Sequence, residues 1–177
     1  FNRRAFFESA EKLAEEKMLF SIVMIDIDFF KLINDTHGHL GGDVVLNFTG
    51  RLISNMFRVD DIPCRFGGEE FCVLIRNCNE QQALQNVSSL VEKFRQSVIR
   101  LSESADVTIT ISAGVSEHSS GQKLLKTIQA ADAALYSAKN SGRNQVQCFG
   151  DAVAIKPTEN VEICRRYINV MMLNLCA

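Results

Sequence analysis

The chain reads as an α/β domain in which a mixed central sheet carries flanking helices, with a βαββαβ core. Three observations predict this. Segments with a helical apolar period alternate with strand-like segments along the chain. The run "LFSIVMIDI" over 19–27 is continuously apolar, as a strand covered on both faces requires. "IPCRF" and "EFCVLI" flank Gly67 and Gly68, the signature of an antiparallel hairpin inserted in the alternating pattern.

Each element has its own signal. Residues 5–17 place Phe6, Phe7, Ala10, Leu13 and Ala14 on one helical face. After the 19–27 strand, residues 40–57 read as a helix with Val44, Val45, Phe48, Leu52, Ile53 and Met56 in one stripe. The hairpin follows, then a helix over 80–100 with Leu84, Val87, Leu90, Val91, Phe94 and Val98 in register. "DVTITISAGVS" alternates as a strand. Residues 121–139 form a helix that ends before "NSGRN", where Gly142 suits a C-cap. "QVQCF" closes the domain. Beyond Gly150 the character changes: Pro157 precedes a final helix with a short heptad-like seam at Val161, Cys164, Ile168, Met171 and Leu175. The domain is therefore placed at 1–149 and a C-terminal, helical extension at 150–177. The abrupt start "FNRRAFF" reads as the middle of an element, so the chain is expected to be a piece of something longer.

A net charge of −2 over 177 residues excludes a global basic field for a nucleic-acid polymer or an anionic membrane. An anionic ligand must then be held by a local cluster. Cys64, Cys72, Cys78, Cys148, Cys164 and Cys176 form no C-x-x-C pair and read as reduced thiols of a cytoplasmic protein. Nothing is long and apolar enough to span a membrane.

The stretch "VMIDIDFFKLINDTHGHLGGD" carries the chemistry. Asp26 and Asp28 end a buried strand, and strand alternation points both carboxylates the same way. Two anions there repel each other and lose hydration, so something must compensate. Glu69 and Glu70 follow the Gly-Gly turn. If the hairpin lies beside the first strand, four acids converge at one sheet edge. Hard oxygen donors suit Mg²⁺ or Mn²⁺, and Mg²⁺ completes its shell with water and phosphate, so a nucleoside triphosphate is the expected ligand. The competing reading makes Asp28 and Glu70 caps, or partners of Arg65 and Lys31. Asp35 or Thr36 is a candidate helix cap, and His39 reads as structural. Asn34 and Asp43 fit a base: the guanine edge offers two donors that a carboxylate accepts, and adenine lacks that pair. Lys139 and Arg143, at a helix end, either complement its dipole or capture phosphate.

Together these segments resemble the GGDEF family of diguanylate cyclases. Gly67-Gly68-Glu69-Glu70-Phe71 matches the signature turn in its Glu variant, "MIDIDFFKLINDTHGHLGGD" the metal-and-base segment, "ADAALYSAKNSGRN" the late helix and loop, and "NRRAF" the entry helix. The similarity covers roughly residues 2–149. The Asp-x-Leu-Thr turn that precedes "NRR" in the family is absent from the chain.

The resemblance implies a palm-like fold, shared with nucleotidyl cyclases. It implies condensation of two GTP into cyclic di-GMP with release of pyrophosphate. Asp26 and Glu69 would hold two divalent cations, Mg²⁺ or Mn²⁺, with the Ile27 carbonyl helping and Asp28 nearby. Asn34 and Asp43 would grip guanine. The amides of Phe29 and Phe30 would meet phosphates, with Lys139, Arg143 and Lys31. Glu70 would help deprotonate the attacking 3′-hydroxyl. A two-fold product requires two domains face to face, hence a homodimer. Arg58 and Asp61 in "RVDD" stand at the family's spacing for an inhibitory R-x-x-D site that binds the product. The alternative is a non-catalytic module that binds GTP or cyclic di-GMP.

Overall fold

The structure, a computed structural model, describes residues 3–149. The expected extension over 150–177, with its seam, lies outside them. The order is α1 (Arg3–Glu15), β1 (Phe20–Ile27), α2 (Phe30–Met56), β2 (Ile62–Gly67), β3 (Glu70–Arg76), α3 (Glu80–Arg95), β4 (Ile99–Ser102), β5 (Ala105–Val107), β6 (Ile111–Glu117), α4 (Leu124–Asn140) and β7 (Val146–Cys148).

Among the described residues, five strands form the main sheet in the order β2-β3-β1-β6-β7. β1 is central and antiparallel to both β3 and β6, while β7 pairs parallel with β6. All eight residues of β1 are buried, as the unbroken apolar run predicts. Alternation divides its side chains between two cores. Val23, Ile25 and Ile27 join a cluster with Val45 and Ile53 of α2 and Val87, Leu90 and Phe94 of α3. Phe20, Ile22 and Met24 join Phe6, Phe7, Ala10 and Leu13 of α1 and Ile128, Ala131 and Leu135 of α4. The sheet is thus covered on both faces.

Three expectations are corrected. α2 begins at Phe30, ten residues before the apolar stripe at 40–57; it passes a kink at Gly38 (φ 72°, ψ 172°) that breaks the helical period of "NDTHGHLGG". Its N-cap is Phe29 rather than Asp35 or Thr36. α3 stops at Arg95 and not at 100: residues 99–102 are β4, and Val98, read as part of the helical face, is 63% exposed. "DVTITISAGVS" splits, because Ala105–Val107 pairs with β4 in a separate hairpin and Ile111–Glu117 alone joins the main sheet. The Gly67-Gly68 hairpin forms as expected, with Gly68 at φ 49°. Gly142 takes φ 111° just beyond α4.

Gly114 sets the closeness of α4 to the sheet. A Cβ built there would lie 2.0 Å from the Ala131 carbonyl oxygen and 2.1 Å from the Leu135 nitrogen. Those are backbone atoms, which cannot swing aside. Gly114→Ala is expected to destabilise the domain by about 3 kcal/mol, read as a lowered urea midpoint at constant slope.

Candidate active site

The C-terminal end of β1 gathers most of the residues singled out in the sequence. Asp26 lies opposite Glu70 on β3 and Ser112 on β6. The turn that carries Glu69 is tied to the same strand end, since the Ile27 amide donates to the Glu69 carbonyl at 3.4 Å. Asp26 follows the phase of Ile22 and Met24 and so faces α4. The last turn of α4 supplies Lys139, whose Nζ stands 2.8 Å from Asp26 Oδ2.

Asp26 is 7% exposed. Burial pushes its carboxyl up from 3.8 to about 6; Lys139 opposes that rise, and Glu69 and Glu70 add to it through their negative charge. The site therefore holds a carboxylate that its surroundings disfavour, kept in place by one ammonium.

The donor set fits a divalent cation bound together with substrate. Among the described residues no group of three or more His, Cys, Asp or Glu stands ready to hold a metal. Two carboxylates, Asp26 and Glu69, with the Ile27 carbonyl beside them, are what Mg²⁺ uses when phosphate and water complete its shell. The Lys139 ammonium already marks the spot as one that attracts positive charge.

Asp28 is engaged differently. Its Oδ1 accepts from Ser112 Oγ at 2.6 Å; its Oδ2 accepts from Thr110 Oγ1 at 2.6 Å and from the Asn144 amide at 3.0 Å. The capping alternative thus describes Asp28, though with hydroxyls and a loop amide in place of Arg65 or Lys31. Arg65 Nε instead donates to the Gly68 carbonyl at 2.8 Å, within the signature turn.

The start of α2 carries no anionic group of its own. Phe29 sits in the left-handed region (φ 57°) as N-cap, with no side-chain cap, and the first turn holds no acid. The helix dipole favours negative charge there, yet the side chain supplied is the exposed Lys31. Phe30 is buried in the core, whereas Phe29 is exposed and the Arg143 guanidinium lies 4.7 Å over its ring.

Asn34, half-buried, is placed by Gly42. Its Oδ1 stands 1.9 Å from where a Cβ of residue 42 would be. The next residue, Asp43, is exposed and lines an open depression with Leu46, Asn47, Gly50, Arg51, Arg65 and Phe71. Arg51 carries no signal in the sequence, and Arg65 stands there only as a possible partner of the acids; the folded hairpin is what sets it beside α2. His39 is exposed, not a satisfied core histidine.

Arg58 and Asp61 lie elsewhere. Asp61, buried, accepts from the Arg58 amide at 3.0 Å and from the Arg76 amide at 3.1 Å. Arg76 ends β3 and Glu70 begins it, so this turn is about 20 Å along the strand from the acidic corner. Arg58 is exposed on it.

Known proteins share this sequence and fold. The chain is 43% identical over 136 residues to diguanylate cyclase A of Treponema denticola, an alignment covering 75% of this chain and 36% of that protein. It is 37% identical over 149 residues to diguanylate cyclase DgcM of Escherichia coli K12, covering 82% and 35%. The chain thus spans about a third of the length of these curated relatives. The GGDEF domain of DgcB from Caulobacter crescentus, solved in complex with c-di-GMP, superposes with a TM-score of 0.79 at 29% identity, over 85% of this chain and 91% of that one. The active GGEEF domain of a diguanylate cyclase from Vibrio cholerae gives 0.76 at 30% identity, over 84% and 96%. The family described as "Diguanylate cyclase, GGDEF domain" matches residues 1–145. With that match over most of its length, the chain belongs to the GGDEF domain family of diguanylate cyclases.

Proposed function

We propose that this domain condenses two GTP into cyclic di-GMP and pyrophosphate as a two-fold homodimer. The observation that carries the reading is the acidic corner: Asp26, disfavoured as a carboxylate, beside Glu69 and Glu70 and facing Lys139. A purely binding module leaves that arrangement without a use. When bound, two divalent cations, Mg²⁺ or Mn²⁺, would neutralise triphosphate charge and lower the pKa of the attacking hydroxyl. Asp26, Glu69 and the Ile27 carbonyl would hold them.

The remaining work falls to groups of the chain itself. Asp43 accepts from the donor edge of guanine, and Asn34 addresses its acceptor. The Phe29 and Phe30 amides, Lys31, Lys139 and Arg143 hold the triphosphate, and Lys139 exchanges Asp26 for phosphate oxygen. Glu70 takes the proton from the 3′-hydroxyl of one GTP. That oxygen bonds to the α-phosphorus of the second GTP as the bond to pyrophosphate breaks, and a second such transfer closes the ring. Most of the acceleration comes from positioning and charge stabilisation. One domain holds one GTP, so two copies must face each other and a monomer is inactive. Cytoplasmic location fits GTP as substrate. Arg58, presented by the turn that Asp61 ties, binds product phosphate or guanine and slows turnover.

Incubation with GTP and Mg²⁺, with chromatographic assay of cyclic di-GMP, tests the reading directly. Asp26→Ala is expected to abolish product while the domain stays folded; retained turnover would overturn the metal role. Arg58→Ala is expected to relieve product inhibition with folding unchanged, whereas Asp61→Ala lowers stability because two backbone amides lose their acceptor; an unaltered inhibition curve for Arg58→Ala refutes the site. The Asp26 carboxyl also sets a pH dependence. Its folded pKa of about 6 exceeds the ordinary 3.8, so its stabilising contribution is complete below about pH 4 and lost as pH rises through about 6. In metal-free urea titrations, wild type should lose up to about 3 kcal/mol more than Asp26→Asn between those limits; parallel curves for the two proteins would contradict it.

A further inference from the structure

We infer that Asp28 is a positioning residue that holds the loop after α4 in a strained shape and thereby aims Arg143 at the triphosphate. The inference rests on the proposed reading that Arg143 meets phosphate.

Arg143 and Asn144 are consecutive residues in the left-handed region, at φ 63° and 51°. Neither is glycine, and side-chain-bearing residues adopt that region at a cost. A chain left to itself would relax. Two contacts on the loop backbone oppose this. The Arg143 amide donates to the Ala138 carbonyl at 3.0 Å, and the Asn144 amide donates to Asp28 Oδ2 at 3.0 Å. Arg95 Nη2 adds a longer bond to the Asn144 carbonyl at 3.3 Å.

Of these, the Asp28 bond is charge-assisted and buried, since Asp28 is 4% exposed. Its carboxylate cannot swing away from the loop, because Thr110 and Ser112 hold both oxygens from β6 and the segment before it. The Asp28 amide is fixed as well, donating to the Thr110 carbonyl at 3.0 Å. Asp28 is therefore clamped to the sheet on one side and clamps the loop on the other. The result is the Arg143 guanidinium over the ring of Phe29, the residue that caps α2. Phe29 is the next residue after Asp28, so one short stretch sets both the phosphate-facing turn and the cation above it.

The test is equilibrium calorimetric binding of two probes, guanosine and a GTP analogue with a methylene between its α- and β-phosphates. Asp28→Ala is expected to weaken the analogue about tenfold or more and to leave guanosine within about twofold. Arg143→Ala should do the same, and the double variant should bind no more weakly than Arg143→Ala alone, because both changes remove one function. Asn144→Gly in the Asp28→Ala background should recover most of the lost affinity, since glycine adopts positive φ freely. Equal weakening of guanosine, multiplying losses in the double variant, or no recovery by glycine overturns the inference in favour of a merely structural acid. If Asp28→Ala does not fold, Asp28→Asn serves, leaving one acceptor oxygen for three donors: selective loss of the analogue supports the role and parallel loss refutes it. A wild-type protein that fails to bind the analogue overturns the inference together with the reading beneath it. One that binds both probes but makes no product overturns the cyclase reading alone.

Discussion

A carboxylate buried at the end of the central strand is the constraint around which this domain is organised. Asp26 lies on a strand whose other residues are buried and mostly apolar, at the point where the sheet stops being covered. Its burial is unfavourable for the charged form, and Lys139 reduces that penalty. The elements nearby follow from keeping it there. α4 must pack close enough for its last turn to reach across, which requires Gly114 beneath it. The hairpin must pair in one register so that Glu70 lies opposite. Natural proteins accept such local cost at functional sites, where a ligand later relieves it.

Much of this was legible in the sequence because burial leaves a strong pattern. The apolar run over 19–27, the Gly-Gly hairpin and the helical stripe of α1 each matched a single element. The acids were legible for the same reason, since charge at the end of an apolar run conflicts with its surroundings. What escaped was local geometry with no period. Gly38 interrupts α2 and hides its first turns, so the helix seemed to start at its apolar stripe. Val98 continued a helical spacing by coincidence beyond the true end of α3. The partners of Asp28 lie 82 to 116 residues away, and no spacing rule brings Thr110, Ser112 and Asn144 to one carboxylate.

The same pair of neighbouring acids shows how environment divides roles. Asp26 and Asp28 share a face and differ by two positions. One has an ammonium as its partner and acids around it; the other has two hydroxyls and an amide. The alternation that made both look like ligands is correct about direction. It says nothing about which side chains the neighbouring strand and α4 bring to that same face.

The kink at Gly38 makes α2 two rods joined at a fixed angle. On the proposed reading, the first rod starts at the phosphate end and the second carries Asp43 toward the base. Their relative rotation is set by the number of residues between Phe30 and Asp43. Inserting or deleting one would turn the second rod by about 100° about its axis. On that reading, the spacing of this segment is a ruler for the nucleoside.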